Sequence, residues 1–212
     1  MNVLAVGAHY DDLELGCAGS LIKHVRAGDT VTMLVVTDSA FNNPDGVPVR
    51  GVEQALAEGR AAARIIGAEL VCLGFETLKV QEDEALCSAI LREVEARKID
   101  TMYSHWTFDL HRDHRRTAHA ALMAGRHVPR FFMYRSNWYD TGRAFRGTVY
   151  RDISDVFEVK RQVILSHESE MQRVGAGWLD YFTNQNANDG RKVGVGYAER
   201  FEAVRCLMPE AG

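Results

Sequence analysis

Two short stretches concentrate the residue types that carry out hydrolytic chemistry. His9-Tyr10-Asp11-Asp12-Leu13-Glu14 sets an imidazole beside three carboxylates, and His105-Trp106-Thr107-Phe108-Asp109-Leu110-His111-Arg112-Asp113-His114 sets three imidazoles beside two. Catalytic zinc takes three nitrogen or oxygen ligands from protein and keeps one position for water. His9 and Asp12, three apart on one turn, can grip one ion, and His114 is the third ligand expected from the second stretch. Asp11 is then free to act as general base. His111, three residues before His114, is the candidate to steady a tetrahedral oxyanion. Asp109 and Asp113 are candidates to orient the histidines from behind. Asp113, next to His111, is expected to favour its charged form. Zn2+ is the first choice of metal, although another divalent ion suits the same His-Asp-His set. Taken singly, these residues have plainer readings. An Asp-Asp pair caps helices, and His24, His119 and His127 read as surface or hydrogen-bonded histidines. The density of the two clusters argues for a site.

The elements around the clusters predict how they meet. Strands are expected at Asn2–Ala8, Thr30–Thr37, Glu69–Leu73, Asp100–Ser104, Arg130–Tyr134 and Thr148–Ile153, from short Val-, Leu- and Thr-rich runs. Helical periodicity predicts helices over Gly16–Ala27, Val52–Ile66, Asp83–Lys98, Arg115–Arg126, Asp155–Ser166 and Tyr197–Leu207. Asp38–Gly51 and the Gly- and Asn-rich Gly175–Gly196 are expected to be loops. The βαβα order implies an α/β fold with a mostly parallel sheet and helices on both faces. In such sheets ligands bind beyond the carboxyl ends of the strands. The two clusters follow the first and fourth predicted strands, which should be neighbours, so they should converge on one crevice.

Here the sequence resembles a known family. Ala8-His9-Tyr10-Asp11-Asp12-Leu13-Glu14 resembles the AHPDDxE signature of the LmbE/PIG-L-like deacetylases. Asp109-Leu110-His111-Arg112-Asp113-His114 resembles their D-x-H-x-D-H motif. Ser166-His167-Glu168-Ser169-Glu170 is similar to the family's H-x-S-Q element, and Tyr197-Ala198-Glu199-Arg200-Phe201 to its AE-x-F element. The resemblance implies a Rossmann-like three-layer fold and zinc-dependent removal of an N-acyl group, acetyl first of all, from an amino sugar. It implies His9, Asp12 and His114 as zinc ligands, Asp11 as base and His111 as the oxyanion or leaving-group residue. Three positions depart from the pattern. Tyr10 stands in place of Pro and is expected to bring a hydroxyl to the pocket rim. Glu170 stands in place of Gln. Ala55 falls where a substrate-gripping Arg is expected, with Arg50 as its candidate replacement or else a surface charge. Trp106, Tyr10 and His167 are candidates for a sugar-stacking face and a further donor, with Trp106 equally readable as a core residue.

Composition narrows the class. The 212 residues carry a net charge of -4, are 46% hydrophobic and 25% charged, and read as one domain over residues 1–212. No basic stripe suggests nucleic acid, and no apolar run approaches a membrane span. The N-terminus lacks the pattern of a signal peptide. Four scattered cysteines predict a reducing, cytoplasmic setting without disulfides, with Cys72 and Cys87 as small core residues. The expected partner is a small N-acylated sugar-like molecule, and a homo-oligomer is left open. Three alternatives stand beside this reading. A nucleotide-binding Rossmann enzyme would need G-x-G-x-x-G, but acids fill that turn and repel phosphate. A non-catalytic sugar-binding protein would have lost the base or a ligand. A related zinc amidase on a thiol-sugar or antibiotic intermediate would share every motif.

Overall fold

The computed structural model describes residues 1–208. Its core is a seven-stranded sheet in the order β5-β2-β1-β6-β7-β9-β8. The strands are β1 (Asn2–Gly7), β2 (Thr30–Thr37), β5 (Glu69–Phe75), β6 (Thr101–His105), β7 (Arg130–Tyr134), β8 (Val149–Asp152) and β9 (Ala198–Cys206). β5, β2, β1, β6 and β7 run parallel, while β9 pairs antiparallel to both β7 and β8. The expected neighbours β1 and β6 pair directly, with Val3 against Thr101.

The alternation of side chains along a strand divides the core in two. Val3, Ala5, Val31 and Met33 face one layer, where they meet Leu21 of α2 (Ala18–Arg26), Ala62 of α3 (Val52–Ile66) and Val163 of α6 (Phe157–Leu165). Leu4, Val6, Leu34 and Val36 face the other, against Leu86 of α4 (Glu84–Ala96) and Ala121 of α5 (Arg112–Ala124). This is the three-layer α/β fold expected from the sequence.

The C-terminal third differs from expectation in two places. Gly175–Gly196 is not a loop. It follows α7 (Glu168–Val174) and holds α8 (Ala176–Val193), bounded by Gly175 at φ 79 and by Gly194 in the left-handed region. Trp178, Leu179 and Phe182 anchor it, and its buried face continues through Asn186 and Gly190. Tyr197–Leu207 is not a helix, since Ala198–Cys206 forms β9. Its Ala, Glu and Arg residues favour helix, but pairing on both sides overrides that propensity. The loop Asp38–Gly51 carries a small hairpin of β3 (Phe41–Asn42) and β4 (Pro48–Arg50).

β9 also closes the first helices. α1 (Asp12–Gly16) leads into α2, whose first N–H groups lack intrahelical partners. Glu199 of β9 accepts the N–H of Gly19 and of Ser20 at 2.8 Å each, and the Ser20 hydroxyl at 2.6 Å. Lys160 of α6 donates to Glu199 at 2.7 Å and to the Leu15 carbonyl at 3.0 Å. Both charges are fully buried, and each supplies the other's counter-ion. Glycine is required at position 19, where a Cβ would come 2.7 Å from Ile153 and 3.1 Å from the Glu199 carboxylate.

Candidate active site

The two clusters meet at the carboxyl ends of β1 and β6, in a crevice of about 310 Å³. Its wall includes His9, Asp11, Asp12, His111, His114 and Arg50. Three donor atoms converge there. His114 Nε2 lies 3.1 Å from Asp12 Oδ1 and 3.3 Å from His9 Nδ1, and His9 Nδ1 lies 3.4 Å from Asp12 Oδ2. A tetrahedron with bonds of ~2.0 Å has edges of ~3.3 Å, so this spacing fits a zinc-sized ion.

The far side of each histidine faces a carboxylate. His9 Nε2 bonds Asp113 Oδ2 at 3.2 Å, which leaves Nδ1 as a lone pair toward the crevice. His114 Nδ1 lies 3.3 Å from Asp109 Oδ1, and Asp109 is held by Asn137 at 2.6 Å. Carboxylates behind metal-binding imidazoles fix tautomer and orientation in this way. His105 and His111 also lie close enough to join a metal-ligating group, in the sets Asp12/His105/His114 and His9/His111/His114. One nitrogen of each is engaged by a backbone N–H. His105 Nε2 accepts the N–H of Ala8 at 2.9 Å, and His111 Nδ1 accepts the N–H of Asp113 at 3.2 Å. His114 belongs to both sets, with His9 in one and Asp12 in the other.

The charges fit a cation as well. Burial alone would lower His9 and His114, yet their carboxylate partners outweigh it. His9 is raised to about 9 by Asp113 and Asp12, and His114 to about 10 by Asp12 and Asp109. Asp12 stays well below the usual carboxylate range despite its burial, because His114 and His105 face it. Without a metal, protons on His9 and His114 supply the positive charge. Asp11 is pushed up to about 7 by burial and by the neighbouring Asp12.

His111 departs from expectation. Asp113 favours its charged form as expected, but its pull is outweighed. Burial, together with repulsion from His114 and His9, lowers His111 to about 3. It is therefore a neutral ring whose proton sits on Nε2, which makes it a hydrogen-bond donor.

Other expected residues fall elsewhere. Trp106 is 2% exposed and packs in the second core layer, edge-on to Phe108 and Phe145, so it is not a substrate contact. Tyr10 is buried, not at the rim. Its ring packs on Val35 and Ala55, and a Cβ at Gly59 would come 2.3 Å from it. Two of the three departures from the family pattern, Tyr10 and Ala55, thus lie against each other. His167 is fully buried and does not line the crevice. Cys72 is exposed, so it is not a core residue, while Cys87 is half-buried and packs against the second core layer.

Arg50 is no solvated surface charge. It is 3% exposed, donates to Glu58 at 2.8 Å and to the Tyr10 carbonyl at 3.1 Å, and lies 3.9 Å from Asp11. Arg50→Ala should therefore cost about 3–5 kcal/mol of stability, because Glu58 would remain as a buried charge without its guanidinium. Denaturant unfolding measures this, and a loss under 1 kcal/mol would return Arg50 to the class of surface charges.

Several residues at the site had no role assigned from the sequence. His105 is fully buried and stacks on His114, with centroids 4.1 Å apart. Its position at the end of a strand was the available signal. Ser136, which donates to Asp12 Oδ1 at 2.8 Å, and the aromatic side of the crevice formed by Phe41, Trp138, Tyr139 and Trp178 carried none.

Comparison with known proteins agrees with the fold. Residues 4–125 match the PIG-L family, described as GlcNAc-PI de-N-acetylase. That is more than half of the chain, and the chain belongs to this family. Diacetylchitobiose deacetylase of Thermococcus kodakarensis is 27% identical over 227 aligned positions, covering 96% of this chain and 83% of that protein. The conserved protein TT1542 of Thermus thermophilus superposes with a TM-score of 0.82 at 22% identity, over 98% of this chain and 96% of its own. GalB, the 4-carboxy-2-hydroxymuconate hydratase of Pseudomonas putida KT2440, superposes with a TM-score of 0.77 at 17% identity, over 100% and 99%. These two likenesses concern the fold alone. One of these neighbours is a hydratase, so the reaction must be argued from the site.

Proposed function

We propose that this protein is a metal-dependent N-deacetylase, with zinc as its metal, acting on a small N-acetylated amino sugar. The observation that carries this reading is the convergence of His9 Nδ1, the two Asp12 carboxylate oxygens and His114 Nε2, with contacts of 3.1–3.4 Å, beside the Asp11 carboxylate, which has no place in the set. The deacetylase relative adds weight to acetyl as the acyl group. The four cysteines are all free, which suits a cytoplasmic setting. No helix among the described residues is long and apolar enough to cross a membrane.

A bound divalent ion would polarise the amide carbonyl and ease deprotonation of water. Asp11, 16% exposed at the crevice wall, takes the proton from the attacking water and returns it to the leaving nitrogen. His111 donates from Nε2 to the oxyanion as it develops. Phe41, Trp138 and Tyr139 offer apolar faces to a sugar ring. Arg50 is the proposed polar contact on the opposite side, prepositioned by Glu58. About 310 Å³ lies at the small end of ligand pockets, so it takes the amide-bearing sugar and leaves the rest of a larger conjugate outside.

The test is metal analysis of the purified protein and acetate release from N-acetylated sugars, N,N'-diacetylchitobiose among them. Acetate release that stops on chelation and returns with zinc is the expected result. Metal-loaded protein that releases no acetate across the panel would sink the deacetylase reading.

A further inference from the structure

We propose that Glu14 and His167 are positioning residues for Asp11, forming with Arg50 a buried clamp on the peptide unit that carries it. The inference rests on the reading of Asp11 as the base. Asp11 adopts φ 123 and ψ -28, a backbone region that residues with a Cβ strongly disfavour. Only surrounding contacts keep a side chain there, and such conformations recur at functional sites.

The contacts fall on both polar ends of one peptide plane. Its N–H, that of Asp11, donates to Glu14 Oε2 at 3.1 Å. Its carbonyl, that of Tyr10, accepts from Arg50 Nη1 at 3.1 Å. His167 bridges the two clamping residues. Its Nδ1 lies 3.3 Å from Arg50 Nη2 and its Nε2 lies 3.2 Å from Glu14 Oε1. Arg50 has only protons to offer, so Nδ1 accepts and the ring proton sits on Nε2, facing Glu14. Glu14, Arg50 and His167 are 1%, 3% and 0% exposed, so water does not compete for these contacts. Rotation of this peptide plane would swing the Asp11 carboxylate relative to His9 and Asp12. The clamp fixes that direction. It also gives His167 a role that needs no contact with substrate. The plainer alternative is that Glu14 merely caps the short helix α1. In that case its loss would lower stability without acting through Asp11.

A double-mutant cycle separates the two. The variants are Glu14→Ala, Asp11→Asn and their combination, assayed for acetate release from N,N'-diacetylchitobiose, with bound metal per chain and a crystal structure of Glu14→Ala. Loss of the clamp should lower kcat by about 10–100-fold with KM and metal content unchanged, as misplacement near 1 Å does. In the Asp11→Asn background the same change should cost less than about 2-fold, because its route of action is gone. In the crystal, Asp11 should leave its positive φ. His167→Gln, which can still accept from Arg50 and donate to Glu14, should retain more activity than His167→Ala. If Glu14→Ala does not fold, Glu14→Gln keeps an acceptor for Asp11 N–H and reads the same cycle with a smaller loss. Equal losses in both backgrounds, or an unchanged Asp11 φ, would overturn the clamp. If the wild type releases no acetate, the deacetylase reading falls, and the crystallographic φ still decides the clamp.

Discussion

Asp11→Asn should reduce turnover by about 10²–10⁴-fold while metal content stays at the wild-type level, the range expected when a general base is lost. Asparagine keeps the size of aspartate and tolerates positive φ, so the peptide plane and the three donor atoms should stay in place. What disappears is the ability to take a proton. Burial and Asp12 push the Asp11 carboxyl up to about 7 in the metal-free site. A cation against Asp12 moves it lower again. The wild-type rate should therefore fall on the acid side, below 7, as Asp11 takes up a proton, and the Asn variant should lack that limb. Steady-state kinetics with metal analysis check both points. A near-wild-type rate in Asp11→Asn would remove the base assignment.

The second large effect separates the two histidines of the DxHxDH stretch. His114→Ala should abolish stable metal binding, because its Nε2 stands within 3.1–3.3 Å of both other donors and three ligands leave no redundancy. His111→Ala should keep the metal and lose about 10²–10³-fold in kcat, the worth of one oxyanion donor. Metal loading should also depend on pH. In the metal-free site His9 and His114 hold protons up to about 9 and 10, so the ion competes with protons and loading weakens as pH falls. Titration with zinc at several pH values, for wild type and both variants, reads these effects together. Metal lost from His111→Ala but retained in His114→Ala would reverse the assignment.

Much of this site could be read before any coordinates. The parallel sheet, the β1–β6 adjacency and the meeting of the two clusters follow from strand-like runs whose ends carry acids and histidines. The resemblance to the PIG-L family drew on the same residues. What escaped depends on distant contacts. The 105 position, a bare His after a strand, gains meaning only once its ring stacks on His114. Arg50 could be a surface charge or a site residue until Glu58 was seen beside it, eight residues on but one helix away. Tyr10 and Trp106 are amphipathic rings whose burial is decided by neighbours, Gly59 and Ala55 for one and Phe108 and Phe145 for the other. The two wrong elements share a cause. The buried stripe of α8 turns polar after Phe182, at Asn186, whose side chain bonds the Ala198 carbonyl at 3.0 Å. The helix-favouring residues of β9 are held extended by strands on either side.

The place of β9 has a consequence for how the chain is made. In the sheet it lies between β7 and β8, so β8, emerging some fifty residues earlier, has no neighbour to join until the last strand docks. Glu199 reaches back 180 residues to Gly19 and 39 to Lys160. At a synthesis rate of about 5–20 residues per second, the start of α2 waits roughly 9–36 s and the Lys160 ammonium roughly 2–8 s for their shared partner. Loop closure over such a span carries a large entropic cost before any contact repays it. The segment bearing His9, Asp11 and Asp12 is thus synthesised well before the strand that closes the helix following it. A nascent chain stalled before β9 would carry His9, Asp11 and Asp12 just ahead of an α2 whose first N–H groups are still without their acceptor.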